Sequence, residues 1–250
     1  MVDLPTGRIT EVEALVRWKH PQRGLLFPAD FIGLSEETGL IVALGRWVLH
    51  EACRQTRQWQ LASPDSKLAI SVNLSARQLQ QPGLVEEIAA VLRETRLDAA
   101  DLRLEITETV VMHDAPTTLA KLEALKALGV QLAIDDFGTG YSSLGYLKRF
   151  PVDTLKIDRS FVKGIGDDVE DSAIVRAVIT VAKSLNLSVT AEGIETAEQL
   201  EHLRALGCDH GQGYFFAKPM ASERVPALLL ATSPWGPATA TNGHTTNGHN

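Results

Sequence analysis

Only two cysteines, Cys53 and Cys208, occur in 250 residues, in separate segments and without Cys-x-x-Cys spacing. That scarcity excludes a disulfide framework and assigns both thiols to packing in a reducing compartment. A basic excess is missing too: 24 Lys+Arg stand against 31 Asp+Glu, a formal charge of −7. A general nucleic-acid binder needs surplus cations to neutralise a phosphate backbone, so DNA is not an expected partner. A small phosphorylated ligand, held by a few placed cations or by metal ions, is compatible with the same balance. No apolar run reaches the roughly 18–20 residues of a membrane span, and the N-terminus lacks a signal-peptide pattern. The expected location is cytoplasmic, with no membrane contact from this chain. What is present is an ordinary globular composition, 44% hydrophobic and 22% charged. It is sufficient for one sizeable core, at a length that an α/β barrel commonly uses.

From Thr232 to Asn250 charge is absent altogether, and Thr241-Asn242-Gly243-His244 recurs as Thr246-Asn247-Gly248-His249. Such a polar repeat buries too little apolar area to offset its ordering entropy. Residues 232–250 are therefore expected to form a disordered polar tail, with His244 and His249 solvated, and residues 1–231 to form the folded domain.

Within that domain β-rich runs alternate with helical patterns. Expected strands are Arg8–Arg17, Leu68–Leu74, Leu102–Thr107, Val130–Asp135, Thr154–Ile157, Ser188–Ala191 and Gly213–Phe216. Leu119, Leu122, Leu125 and Leu128 form an apolar stripe at helical spacing that Gly129 ends. Ile174, Val178, Ile179 and Leu185 repeat the pattern. Thr196 with Gln199 makes a capping box ahead of Leu200, Leu203 and Leu206, closed by Gly207. Strand–helix alternation implies parallel strands covered by helices, in a barrel or a doubly wound sheet. Only the opening differs, since Thr6-Gly7 between two extended pieces predicts a hairpin.

The strand ends carry unusual residues. A parallel strand buried on both faces should be nearly all apolar. Yet Glu13, Asn73, Glu105, Asp135-Asp136, Lys156, Glu192 and Gln212 fall at or near seven successive strand ends. Barrel enzymes assemble their sites from such positions. Buried carboxylates are costly unless paired or bound to a cation. Carboxylates plus an amide, with neither Cys nor His, form a hard-oxygen set that favours Mg²⁺ or Mn²⁺ over Zn²⁺. Two ions about 3.5–4 Å apart are a standard arrangement for phosphodiester hydrolysis. Asp135 and Asp136 cannot point the same way in a regular strand, but can splay at its end to serve two ions. Arg17, four residues after Glu13, shares its face if the strand continues, and its fork suits a phosphate. Gly138-Thr139-Gly140-Tyr141-Ser142-Ser143 follows the Asp pair as a flexible loop without the Lys-Ser/Thr ending of a phosphate-binding loop.

The run Glu13-Ala14-Leu15, within Thr10–Arg17 and followed by Trp18-Lys19-His20-Pro21, resembles the signature of the EAL family of cyclic di-GMP phosphodiesterases. The resemblance continues through Ser71–Ser75, Glu105-Ile106-Thr107-Glu108, Asp135–Gly140, Leu155–Asp158, Ala191–Glu195 and Gly211–Tyr214. It implies a modified TIM (β/α)8 barrel with an antiparallel first strand, and hydrolysis of cyclic di-GMP to linear pGpG with two Mg²⁺ or Mn²⁺ ions. By motif position Glu13, Asn73, Glu105, Asp135 and Asp136 would be metal ligands, Lys156 would hold the attacking water and Glu192 would be the general base. Arg17, Leu15, Glu195 and Gln212 would meet substrate, and Glu108 would anchor the loop following Asp136, through which the family links its site to a homodimer interface. Family members begin with a helix and a full strand before the Asp-Leu-x-Thr-Gly turn. Here Met1-Val2-Asp3 leaves that strand largely missing, with a glutamine expected on substrate. The resemblance thus implies an N-terminally truncated member, either through a misplaced start codon or as the tail of a longer signalling protein, of a kind that often carries upstream sensory or GGDEF domains. A non-catalytic cyclic di-GMP receptor is the second reading, because the strand is short. A barrel hydrolase or lyase acting on another phosphorylated substrate is the third.

Overall fold

The structure is a computed structural model that describes residues 1–64, 67–113, 115–140, 144–230 and 235. The expected tail at 232–250 therefore lies outside the described residues except for Trp235. That ring meets Phe216 edge-on, and its carbonyl accepts from Arg204.

In chain order, β1 (Val2–Asp3), β2 (Glu11–Ala14), β3 (Trp18–His20) and β4 (Gly24–Leu26) precede α1 (Ile32–Thr38) and α2 (Ile41–Ala62). Next come β5 (Ala69–Asn73), α3 (Ala76–Gln80), α4 (Leu84–Thr95), β6 (Leu102–Thr107), α5 (Glu108–His113) and α6 (Ala115–Ala127). β7 (Gln131–Phe137), α7 (Leu144–Leu147), β8 (Thr154–Ile157), α8 (Arg159–Lys163) and α9 (Val169–Ser184) follow. β9 (Ser188–Ala191), α10 (Ala197–Ala205), β10 (His210–Gly211) and α11 (Val225–Leu230) complete the order.

Eight strands form one sheet in the order β1-β10-β9-β8-β7-β6-β5-β2, every pair parallel except β1 with β10. The sheet curls nearly shut. Val2 pairs with Gly211 on one side and bridges to Ile9, just ahead of β2, on the other. The fold is thus the expected modified barrel. Its antiparallel first strand is two residues long, turned back by Gly7, whose N–H donates to the Asp3 carbonyl at 2.7 Å.

Strand alternation decides where the core lies. In β6, Leu102, Leu104 and Ile106 are buried against helices, while Arg103, Glu105 and Thr107 face the lumen. Leu132, Ile134, Leu155, Ile157 and Val189 join Leu122, Leu125, Val178, Ile179, Leu200 and Leu203 in one cluster between sheet and helices. Each such side chain contributes about 1.5–3 kcal/mol by leaving water. Thr196 and Gln199 form the predicted capping box of α10, and Gly129 and Gly207 take positive φ where their helices end.

Three expectations need correction. The extended run Arg8–Arg17 is not one strand: β2 stops at Ala14, and Trp18 opens a separate two-stranded hairpin, β3–β4. Nor is Gly213–Phe216 a strand. The final strand is His210–Gly211, after which Phe216 and Ala217 donate back to the Gly213 carbonyl as a turn. Gly213 is pressed onto Ile194, where an added Cβ would lie 2.1 Å from a carbonyl oxygen, too close for any extended side-chain-bearing strand. Ile174 is exposed, because α9 begins at Val169 and its phase turns Val175 inward instead.

Candidate active site

The carboxyl ends of the parallel strands converge on Lys156, which is 1% exposed and sits in the middle of β8. Its Nζ donates to Glu105 Oε2 at 2.7 Å and forms ion pairs with Glu192 Oε1 at 2.7 Å and Asp135 Oδ1 at 3.1 Å. Burial alone would discourage its charge, but the surrounding carboxylates Glu105, Glu192, Glu13 and Asp135 outweigh that and hold its pKa well above the usual lysine range. Lys156 is therefore a fixed cation that gathers carboxylates contributed by β6, β7 and the end of β9.

Those carboxylates are short of positive charge. Burial, reinforced by Glu13 and Asp135, pushes Glu105 up to about 8 despite the ammonium beside it. Burial likewise pushes Glu192 up to about 7, with Lys156 opposing and Asp135 adding to the rise. Asp136 is raised by burial, then by Asp135 and Asp158. Five carboxyl groups, those of Glu13, Glu105, Asp135, Asp136 and Glu192, gather around the Lys156 ammonium, and the buried amine of Met1 acts on Glu13 and Glu105 from beside them.

Asp135 and Asp136 reach the same space through a backbone irregularity. The register between β7 and β8 shifts between Ile134 and Phe137, and Asp136 adopts φ 54°, in the left-handed region. A left-handed residue other than glycine costs roughly 1–2 kcal/mol. Here it brings Asp135, Asp136 and Glu192 to offer oxygens within 4.8 Å of one another. Gly138, φ 101°, follows directly and donates its N–H to Glu108 Oε2 at 2.9 Å. Glu108 is buried at the start of α5, so it ties the loop after β7 to the wall of the site. Residues 141–143 of that loop lie outside the described residues.

On the opposite side of the mouth, Asn73 Nδ2 donates to Glu13 Oε1 at 2.8 Å and Gln212 Nε2 donates to Glu13 Oε2 at 2.6 Å. β2, β5 and the residue after β10 thus meet on one carboxylate, whose field reaches Lys156 and Glu105. Leu15, 40% exposed, lies just beyond β2. Glu195 is exposed, its N–H held by the Gln199 cap at 2.8 Å. Arg17 does not share the face of Glu13, because β2 ends before it. Its guanidinium donates to the Val16 carbonyl and stacks 4.9 Å over Phe27.

The donor set fits hard divalent cations. Among the described residues Glu105 Oε1 meets no hydrogen-bond partner, and Asp135 Oδ1 has the 3.1 Å ion pair with Lys156 but no hydrogen bond. Buried carboxylate oxygens so incompletely paired are costly in a bare protein and are suited to a hard divalent cation.

Sequence reasoning passed over two features. Asp158 adds its charge to that of Asp135 in raising Asp136, while its own carboxylate accepts from Ser160 N–H to cap α8; its signal was its place after Lys156-Ile157. Beneath the site, buried Glu11 pairs with Arg103 and accepts from Ser71. The alternation Glu11-Val12-Glu13 and Arg103-Leu104-Glu105 put both on the lumen face.

A parallel barrel with an antiparallel first strand and an acidic, lysine-centred mouth defines the class of metal-dependent barrel domains. The family model described as "EAL domain" matches residues 1–219, and the chain belongs to this family. MucR of Pseudomonas aeruginosa, a bifunctional diguanylate cyclase/cyclic di-GMP phosphodiesterase, is 49% identical over 90% of this chain and 33% of its own length. NbdA of the same organism, a cyclic di-GMP phosphodiesterase, is 47% identical over 91% of this chain and 29% of its own length. The solved MucR phosphodiesterase in complex with c-di-GMP matches with TM-score 0.86 and 48% identity, covering 90% of each chain. The chain spans about a third of the length of the curated relatives it matches.

Proposed function

We propose that this chain hydrolyses cyclic di-GMP to linear pGpG with two Mg²⁺ or Mn²⁺ ions. The observation that carries the reading is the grouping of Lys156, Glu105, Asp135, Asp136 and Glu192 at the strand ends. The activities named for MucR and NbdA support it. Glu13, Asn73, Glu105, Asp135 and Asp136 would hold the ions. When bound, they supply Lewis acidity at the phosphate and compensation of its charge.

The chain's own residues do the rest. Glu192, poised near neutrality by burial, takes the proton of the attacking water. Lys156, too strongly charged to act as a base, orients that water and the carboxylates around it. Water oxygen bonds to phosphorus, the P–O3′ bond breaks and the 3′-oxygen gains a proton, leaving the linear dinucleotide. Arg17, Leu15, Glu195 and Gln212 line the approach for substrate, and Glu108 holds the loop after Asp136. The same reading places the folded domain at residues 1–231 of a cytoplasmic signalling protein, with upstream sensory or GGDEF domains and a homodimer built through that loop. The greater length of the relatives, and the cyclase activity named for MucR, support the presence of further domains.

The test is incubation of purified protein with cyclic di-GMP and Mn²⁺, followed by separation of products. Linear pGpG is expected from the wild type, falling about 10²–10⁴-fold in Glu192→Gln. Ligand binding without product would overturn hydrolysis and leave a receptor.

A further inference from the structure

Parallel barrels normally fill their interior with layers of branched apolar side chains. This one does not. Thr190 of β9 aligns with Lys156 of β8 on one side and with His210 of β10 on the other. Thr154 lies two residues before Lys156. Strand alternation therefore sets Thr154, Thr190 and His210 on the lumen face, below Glu192 and Gln212. The charges of Arg103 and Glu11 both act on His210, so β6 and β2 border the same space.

Thr154 and Thr190 are 0% exposed. Among the described residues neither hydroxyl meets a protein partner, and neither do Arg103 Nε and His210 Nδ1. A buried polar atom left unpaired costs as much as a lost hydrogen bond, and four of them on four strands facing one lumen call for a ligand. Its charge is constrained. Arg103 repels a cation and Glu11 repels an anion, which leaves a small neutral donor–acceptor. The hydrogen-bond count agrees: Arg103 Nε only donates, each hydroxyl does either, and an imidazole nitrogen can accept. Water accepts twice and donates twice.

We propose that the barrel floor beneath the acidic site is a hydration site. Ordered water there accepts from Arg103 Nε and one threonine hydroxyl, and donates to the other hydroxyl and to His210 Nδ1. This holds whatever substrate the mouth above accepts.

Thr154→Val and Thr190→Val test it, since each keeps shape and strand propensity while deleting one hydroxyl. If water bridges the hydroxyls, each variant lowers Tm by about 2–4 °C. The double variant then loses less than the sum, because both remove the same bridge. An unchanged or raised Tm overturns the proposal, because a dry, unpaired hydroxyl is better replaced by a methyl group. A high-resolution crystal structure gives a second readout: water density within hydrogen-bond reach of both hydroxyls is expected, and an empty lumen overturns the site.

Discussion

Asp135 and Asp136 are sequence neighbours in a strand, yet both turn an oxygen toward Glu192. The left-handed backbone of Asp136 makes this possible and also makes it costly. Replacing Asp136 separates the two effects. Asp136→Gly is expected to be about 1 kcal/mol more stable than Asp136→Ala, because only glycine relaxes at that φ. Both should lose activity on cyclic di-GMP. Urea denaturation of the two variants checks the stability difference.

Glu192 gives a pH signature in chelator-treated protein. Its carboxyl titrates near 4.5 when unfolded and is raised to about 7 when folded, so the folded state favours the protonated form. The resulting stability is fully present below pH 4.5 and is lost as pH rises through about 7. Glu192→Gln stays neutral and lacks this loss. The Tm difference between variant and wild type should therefore widen in favour of the variant between pH 5 and pH 8.

Adding Mg²⁺ should reverse that trend. A cation bound only by the folded state stabilises by about 2.7 kcal/mol at a hundredfold excess over its Kd. Wild-type Tm at pH 8 is expected to climb with Mg²⁺ concentration, while Glu105→Gln, lacking a buried donor, shows a much smaller rise. Differential scanning calorimetry across a Mg²⁺ titration measures both.

Glu11 and Arg103 form a buried ion pair whose partners are linked through Ser71 to the strand carrying Asn73. Breaking it from one side, as in Glu11→Gln or Arg103→Met, should cost about 3–5 kcal/mol by stranding the other charge. The double variant Glu11→Met/Arg103→Met should recover most of that. Equilibrium unfolding of the three proteins decides it.

The alternation of strands with helices was readable because outward leucines and isoleucines repeat at periods that only these elements bury. Leu102–Thr107 and Thr154–Ile157 have the bounds their sequence predicts. The grouping of polar strand ends was legible for the same reason, since a carboxylate at a parallel strand end has few other uses. Tertiary closeness was not legible. Gly213–Phe216 has the composition of a strand, but Gly213 packs on the Ile194 backbone, a contact between segments that no local pattern encodes. Arg17 left the face of Glu13 because β2 ends early and a hairpin begins at Trp18. The left-handed turn at Asp136 likewise answers to the register of β8, a later segment whose Thr154 stands against Ala133.

The seam at β1 sets the timetable of assembly. Val2 and Asp3 pair with Gly211 and His210, and Arg204 donates to the Leu4 carbonyl. On the ribosome β1 emerges long before its partners exist. The ring closes only after β10 has emerged, and until then β2 and β9 present raw edges to the cell. One of the barrel's two-residue strands is thus its clasp, fastened last and, by that length, the first to come undone.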